Sequence, residues 1–523
     1  MNQTNLSRLI LPVLFVPLAV FAMLQVLTQG GNQLGNTFFM LTLLGAAMGL
    51  FTAKAGLLLF FVLQFYLDLF KRLMILGDSL SSQDVMISLS IGPAIIGAAC
   101  ITSASRCFFG KVPFLNRRDL TFLGGCVGIS LLGLFLGQGG ISSGSVTELG
   151  QSLLGTSMLG MTAFATYVII QDRKDQYKVL VFTVIGAIPM ALYTFYQSFH
   201  GISHWEEEYI RTGISKVLYN FYLLDGIDEM RPFSTLNTHT SLGAVSATMF
   251  LVATLLMMNA KRLLGSLGNF RLFYVVAACI FLGSCYLSKN RTTYAMPLLG
   301  FFLVFAFSSG KRTLLFYGSA IAVFVWVVIN SEWLNNSILA WSADLEGTAF
   351  GKAFGSLGTY QARLASFIQL ASPESWTPFG LDNRERPEAH DQITETLLKI
   401  GYVPLFAMLL VGGSFVFWWH RRCLKTHHLA DRSFLISLTA IIVSMGVCGL
   451  AYGNMLFVAP VNSLLGAMIG LGMATIRRDQ VESKVRAIAG PVDPAIPKVT
   501  TAEKSKRQRA YPKAASQGAP FSP

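Results

Sequence analysis

Val179-Leu-Val-Phe-Thr-Val-Ile-Gly-Ala-Ile-Pro-Met-Ala-Leu-Tyr-Thr-Phe-Tyr-Gln197 runs 19 residues without one charged side chain. As a helix it would be about 28 Å long, close to the thickness of a bilayer's hydrocarbon core. No water satisfies the backbone there, so helical hydrogen bonding is the one economical solution for an isolated apolar run of this length. Charge gathers just before it, at Arg173, Lys174, Asp175 and Lys178, as expected where a span leaves the membrane. The same reading extends along the chain. Of 523 residues, 53% are hydrophobic and 12% aromatic, while only 13% are charged. Soluble domains carry roughly 25% charged residues. The mean hydropathy is +0.54. This composition excludes a disordered chain, a coiled coil and a disulfide-rich secreted scaffold.

About 14 apolar runs reach the length criterion, with about 12 as the lower count if the shortest are set aside. They lie near Leu9–Leu27, Gly35–Phe51, Ala55–Phe70, Met86–Ser105, Leu120–Gly137, Leu153–Ile170 and Val179–Gln197. The second half adds Leu242–Met258, Leu272–Leu287, Tyr294–Phe307, Leu314–Ile329, Ile393–Trp418, Phe434–Leu450 and Met455–Met473. The expected fold is therefore all-α: a polytopic transmembrane bundle with a partly helical cap formed by a long outer loop. Residues 1–198 form the N-terminal spans, 199–233 a first long outer loop, and 234–330 further spans around a short loop at Arg291. Residues 331–391 form the longer outer loop, 392–476 the last spans, and 477–523 a basic tail. The first run follows Asn2–Ser7 and a lone Arg8, carries two prolines and lacks a cleavage site, so it reads as a retained helix.

Positive charge sets the orientation. With Arg8 in the cytoplasm, Lys54, Arg106 to Arg118, Arg173 to Lys178, Lys261 to Arg271, Lys311/Arg312 and Arg421 to Lys425 all fall inside. Both termini come out cytoplasmic. Lys71/Arg72 is the one clear exception, falling outside. The tail after Ile476 holds ten Lys/Arg against four acids, net +6 of the chain's +13. Its Pro, Ala and Ser content reads as a disordered segment attracted to anionic lipid. No aromatic interleaving accompanies the charge, so nucleic acid is not an expected partner. None of the seven cysteines lies in a long outer loop and no Cys-x-x-Cys pair occurs, which gives neither a metal cage nor an outer disulfide framework.

The two long outer loops carry the chemistry. Both are rich in aromatics, which implies packing or lying on the interface rather than free solvation. Arg211, Arg231, Arg291 and Arg363 all fall on this side, where no positive-inside rule asks for arginine. The guanidinium fork binds phosphate bidentately, so arginines from separate loops at headgroup depth point to a phosphorylated lipid. Taken singly, each could equally reach headgroups or pair with nearby acids. His390, just before the span near Ile393, is a candidate general base. Asp391 would either orient it or cap the helix that follows. His239 stands at a similar helix start. His200 and His204 border Glu206–Glu208, but no spacing there selects a metal geometry.

At these residues the chain resembles the O-antigen ligase / O-antigen polymerase family of bacterial integral-membrane glycosyltransferases, which includes exopolysaccharide polymerases. Arg231-Pro-Phe-Ser-Thr-Leu-Asn-Thr-His239 matches an Arg-led segment at the entry to a span, with Asn237-Thr238 where the family has Asn-Pro. Leu287-Ser-Lys-Asn-Arg291 matches a Ser-Arg element. Arg363 leads to Pro378-Phe-Gly-Leu381, like the family's Arg followed by Pro-Leu-x-Gly. Ala389-His-Asp391 precedes Gly401-Tyr-Val-Pro404, with Asp391 in place of Asn and Lys399 where Glu is common. The elements keep the family's order over about Arg231–Leu410.

The resemblance implies an undecaprenyl-pyrophosphate-linked glycan as donor, a glycan or lipid A core acceptor, and an inverting transfer that needs no metal and no cofactor. Catalysis falls to His390, Arg291 and Arg363. Pyrophosphate binding falls to Arg231, Arg291 and Arg363, with Asp391, His239 and Arg211 in support. The expected setting is the bacterial inner membrane, with the active site on the periplasmic face, membrane lipids around it and other polysaccharide-assembly proteins as possible partners. Ligation and polymerisation share this donor and stay open as alternatives. The rival class is a lipid-linked glycan flippase or polysaccharide transporter, which would place charges at mid-membrane and show internal repeats.

Overall fold

The computed structural model describes residues 34–74, 82–108, 121–122, 124–128, 146–213, 215–219, 222, 231–263, 270–334, 336–337, 366–381, 391–450 and 459–489. Every regular element among them is helical. Six helices are long and apolar enough to cross a membrane, and a bent pair makes a seventh. Four more apolar helices are shorter, at 10–17 residues. The run at Leu9–Leu27 lies outside the described residues, and Leu120–Gly137 lies mostly outside them.

The bundle starts with α1 (Leu34–Phe51), followed by α2 (Ala53–Leu63) and α3 (Leu67–Leu73). The single run read over Ala55–Phe70 is in fact two helices bent by 61°. The break at Gln64–Tyr66 frees carbonyls that a continuous helix would satisfy; the turn before α9 supplies a partner for one, and Tyr66 anchors the break to α6. Thr235 Oγ1 donates to Phe65 O at 2.6 Å, and the Tyr66 hydroxyl donates to Gly186 O at 2.6 Å. Long helix α4 (Ser82–Phe108) packs along α1. A Cβ on Gly49 would stand 2.5 Å from Ile95 O, so glycine sets how closely these two backbones approach.

Next come α5 (Val146–Ile169) and α6 (Arg173–His200). The first long loop then folds into α7 (His204–Arg211) and the single turn α8 (Lys216–Tyr219). Tyr209, Ile210, Leu218 and Phe233 form a small separate core there, with Tyr222 packed against it. Helices α9 (His239–Leu263), α10 (Arg271–Leu287), α11 (Arg291–Phe307) and α12 (Gly310–Ile329) follow. Helix α9 is the most enclosed span, packed against α6, α10 and α11.

The run read over Ile393–Trp418 is likewise divided, into α13 (Gln392–Ile400) and α14 (Tyr402–Lys425), by Gly401 at φ +84°. Then come α15 (Leu429–Leu450) and α16 (Val461–Ala489). The latter continues past Ile476, so the start of the basic tail is helical rather than disordered. Gly466 and Gly470 of α16 face α5, where added Cβ atoms would lie 2.3 Å from Leu159 O and 2.5 Å from Ala163 O. This is the small-residue spacing that lets membrane helices pack backbone to backbone.

The two ends of the bundle differ. At one end Arg173 grips Asp431 through two parallel bonds of 2.8 and 2.7 Å, and Lys54 pairs with Asp175. From the opposite end the long loops emerge, and the described candidates Arg211, Arg231, His239 and Asp391 lie there.

Candidate functional site

The loop-bearing end is organised around a buried ion pair. Helix α3 directs Arg72 inward, where it meets Glu206 of α7 at 2.8 Å with neither side chain exposed. Glu206 is itself positioned by the start of α7, where Ser203 and Glu206 form a reciprocal capping box. Gln197, near the end of α6, donates to both carboxylate oxygens at 3.0 and 3.1 Å. Ser203 N adds a fourth bond at 3.3 Å. A buried carboxylate needs this saturation, because an ion taken out of water must recover its lost solvation from the protein. Glu206 has therefore no coordination left for a metal, and among the described residues no group of three or more metal-ligating side chains occurs.

Beside it lies a second buried cation. Lys71 reaches Asp68 at 3.2 Å and Asn237 Oδ1 at 3.4 Å, above the ring of Tyr209. Ser215 also donates to Asn237 Oδ1, at 3.0 Å. Burial pushes the Tyr209 phenol up, against the opposing pull of Lys71. Lys71 and Arg72, the exception to the positive-inside rule, are thus interior residues with dedicated partners. Sequence reading located the anomaly without its explanation. The signal was present, since these two cations break the charge pattern expected from the sequence.

These groups hold the segment Arg231–His239. Gln197 Oε1 accepts from Phe233 N at 3.2 Å and Ser234 N at 2.7 Å, and Arg72 donates to Ser234 O. Arg72 also covers the Phe233 ring, 4.8 Å from its centroid. Arg231 is half-buried and its carbonyl accepts from the Tyr222 hydroxyl. Burial raises the Tyr222 phenol well above its usual range. Arg231 stands within electrostatic reach of His239, the first residue of α9.

One turn into α9, Gly243 lies against the α10–α11 connection. A Cβ there would stand 2.4 Å from Thr293 Oγ1 and 2.7 Å from Ser288 Oγ. The first turn of α9, which follows the Arg231–His239 segment in sequence, thus packs on the Ser288–Thr293 connection. Lys289 adopts φ 52°, and Asn290 caps α11 by accepting from Thr292 N at 3.1 Å. Asn290 Nδ2 is buried without a hydrogen-bond partner among the described residues. Arg291 opens α11; its side chain is outside the described residues.

The second motif pair is joined through main chain. Leu381 N donates to Leu398 O at 2.8 Å, and Tyr402 N donates to Thr377 O at 3.0 Å. Both turns need glycine: Gly380 has φ +90° and Gly401 φ +84°. Pro378–Leu381 and Gly401–Pro404 are therefore one unit in space. A short helix over 366–371 leans on α13, with Thr394 Oγ1 donating to Ser366 O at 3.2 Å.

Asp391 caps α13, its Oδ1 accepting from Thr394 N at 2.8 Å. Its Oδ2 is buried with no hydrogen-bond partner among the described residues. Burial accordingly holds this carboxyl above the usual aspartate range. Of the two roles expected for Asp391, capping is the one observed. His390 and Arg363 lie outside the described residues. Arg211 is exposed and paired with Glu207, one turn back, at 2.6 Å. That is a surface helix pair, away from the buried network. His200 stacks on Tyr196 at 4.6 Å rather than facing Glu206.

Compared with known proteins, the chain is matched by no family model, no curated protein and no solved structure.

Proposed function

We propose that the protein is a membrane glycosyltransferase of the O-antigen ligase / polymerase type, moving a glycan from undecaprenyl pyrophosphate to a sugar hydroxyl. The observation that carries this reading is the packing of Gly243, one turn past the Arg231–His239 segment, on the Ser288–Thr293 connection that includes Arg291. Two arginine-bearing segments, remote in sequence, share one end of an apolar bundle. A lipid-linked pyrophosphate would present its charge at such a place. The pairing of Pro378–Leu381 with Gly401–Pro404 at the same end adds the segments that flank Arg363 and His390 in sequence. The full count of about 14 spans (12–14), beyond the seven spans and four shorter apolar helices described, belongs to this reading. So do the bacterial inner membrane, cytoplasmic termini and a periplasmic site.

In this mechanism the acceptor hydroxyl oxygen attacks the donor's anomeric carbon from the face opposite the pyrophosphate. The carbon–oxygen bond to phosphate breaks, the centre inverts, and the hydroxyl proton passes to His390. Arg231, Arg291 and Arg363 stabilise the charge that builds on the leaving pyrophosphate. Because pyrophosphate is already a good leaving group, the step needs no metal. In this mechanism the outer loops close over the sugar and exclude water that would otherwise hydrolyse the donor.

The test compares surface glycans and lipid-linked intermediates in cells with and without the chain. Bare lipid A core with accumulated lipid-linked polymer identifies a ligase. Single repeats, or loss of a secreted polymer, identify a polymerase. Proteoliposomes that take up the lipid-linked glycan with its linkage unchanged would replace this reading with a flippase.

A further inference from the structure

The backbone between Arg231 and His239 is held in a conformation it would not keep alone. Ser234 sits at φ 52°, in the left-handed region that a side chain disfavours. Such a residue persists where its surroundings over-determine it. Here they do so from several directions. Gln197 receives two successive backbone N–H groups, Phe233 and Ser234, on one amide oxygen. Arg72 takes the Ser234 carbonyl, Ser234 Oγ donates to Met190 O at 2.5 Å, and Thr235 plugs the helix break at Phe65. Glu206 ties the two anchors together, because it binds both Arg72 and Gln197. An ordinary buried pair would need only each other; this one is spent on the main chain of a single short segment.

We propose that Arg72, Glu206 and Gln197 are positioning residues. They form a buried strut that sets the backbone of Phe233–Thr235 and thereby the placement of Arg231 on one side and His239 on the other. The strut touches no reacting atom. Its functional meaning rests on the donor site proposed above, but its existence as a local clamp does not.

The experiment uses the full chain in lipid nanodiscs with exposed Cys279 replaced by Ser. Thr238→Cys reports on the clamped segment and Ser309→Cys on the opposite end of the bundle. A charged maleimide measures the accessibility of each. Glu206→Gln and Gln197→Met should raise labelling at position 238 by about tenfold or more, as expected when a local opening loses a buried partner. Labelling at position 309 should stay within about twofold, as for distant independent sites.

With a lipid-pyrophosphate glycan as donor, the turnover number should fall more than the donor KM rises. Unchanged labelling at 238, or increased labelling at both positions, overturns the strut. Increased labelling at 238 with unaltered turnover overturns its role in placing the site. If the parent protein transfers no glycan while labelling at 238 still rises selectively, the function proposed above fails and the strut stands. Should Glu206→Gln not yield folded protein, Gln197→Met carries the test, since it leaves the Arg72–Glu206 pair intact.

Discussion

Gly401 presses so closely on Pro378 that a Cβ would lie 2.3 Å from the Pro378 carbonyl oxygen. The contact turns an apolar stretch into two helices. It also docks the Pro378–Leu381 segment on the turn between them. A second glycine, Gly380, faces Lys399 O in the same way, at 2.5 Å. Two left-handed glycines thus close one junction from both sides.

Gly401→Ala should therefore destabilise the protein by about 2 kcal/mol or more, the combined effect of left-handed strain and a backbone clash. Thermal unfolding in detergent measures it. Gly412→Ala in α14, where a Cβ meets nothing within 4 Å, serves as the control. It should leave stability unchanged or raise it by up to about 1 kcal/mol.

Removing one member of the Arg72–Glu206 pair strands a charge in the interior. Glu206→Ala should lower stability by about 3 to 5 kcal/mol, the range for breaking a buried pair from one side. Arg211→Ala, which breaks an exposed pair, should produce no measurable change in the same unfolding assay.

Asp391→Asn separates capping from catalysis. The amide oxygen can still accept from Thr394 N, so the helix start is kept. Burial raises the folded-state pKa of Asp391 above its unfolded value. Both states are protonated well below the ordinary aspartate range, and there the carboxyl imposes no penalty. As pH rises through that range the unfolded chain ionises first, so the native protein loses stability until the folded carboxyl ionises too. The Asn variant should therefore unfold at a higher temperature than the parent at neutral pH, with the gap closing in acid. If Asp391 also orients His390, turnover falls although stability does not.

His390→Ala should reduce glycosyl transfer by about 10² to 10⁴-fold, as for loss of a general base. Arg291→Ala and Arg363→Ala should reduce it by about 10² to 10³-fold, as for loss of a group that stabilises transition-state charge. All three proteins should remain in the membrane in normal amount. A His390→Ala enzyme with full turnover in a reconstituted assay would remove that residue from the reaction.

Gly470→Val in α16 would place branched carbons against the Ala163 carbonyl and the Thr166 side chain of α5. A loss of about 1 to 3 kcal/mol is expected from overpacking. The readout is thermal unfolding of the purified protein.

What could be read from the chain by itself was set by short-range physics. An apolar run such as Val179–Gln197 has one good backbone solution in hydrocarbon, so helix type and membrane class follow without knowing the neighbours. The arginine- and histidine-bearing segments could be picked out as well, because charge beside long apolar runs stands out against its surroundings.

Tertiary structure alone decided where those helices break and what the charges do. The runs over Ala55–Phe70 and Ile393–Trp418 stay largely apolar across their breaks, with Gln64 in one and Gly401 in the other, and hydropathy has no term for a carbonyl satisfied by Thr235 or a glycine pressed on Pro378. Lys71 and Arg72 violate the charge rule until Asn237 and Glu206 are seen beside them, 166 and 134 positions further along the chain. Ion pairs and helix breaks of this kind are satisfied across space, by residues whose separation in sequence carries no trace of their contact.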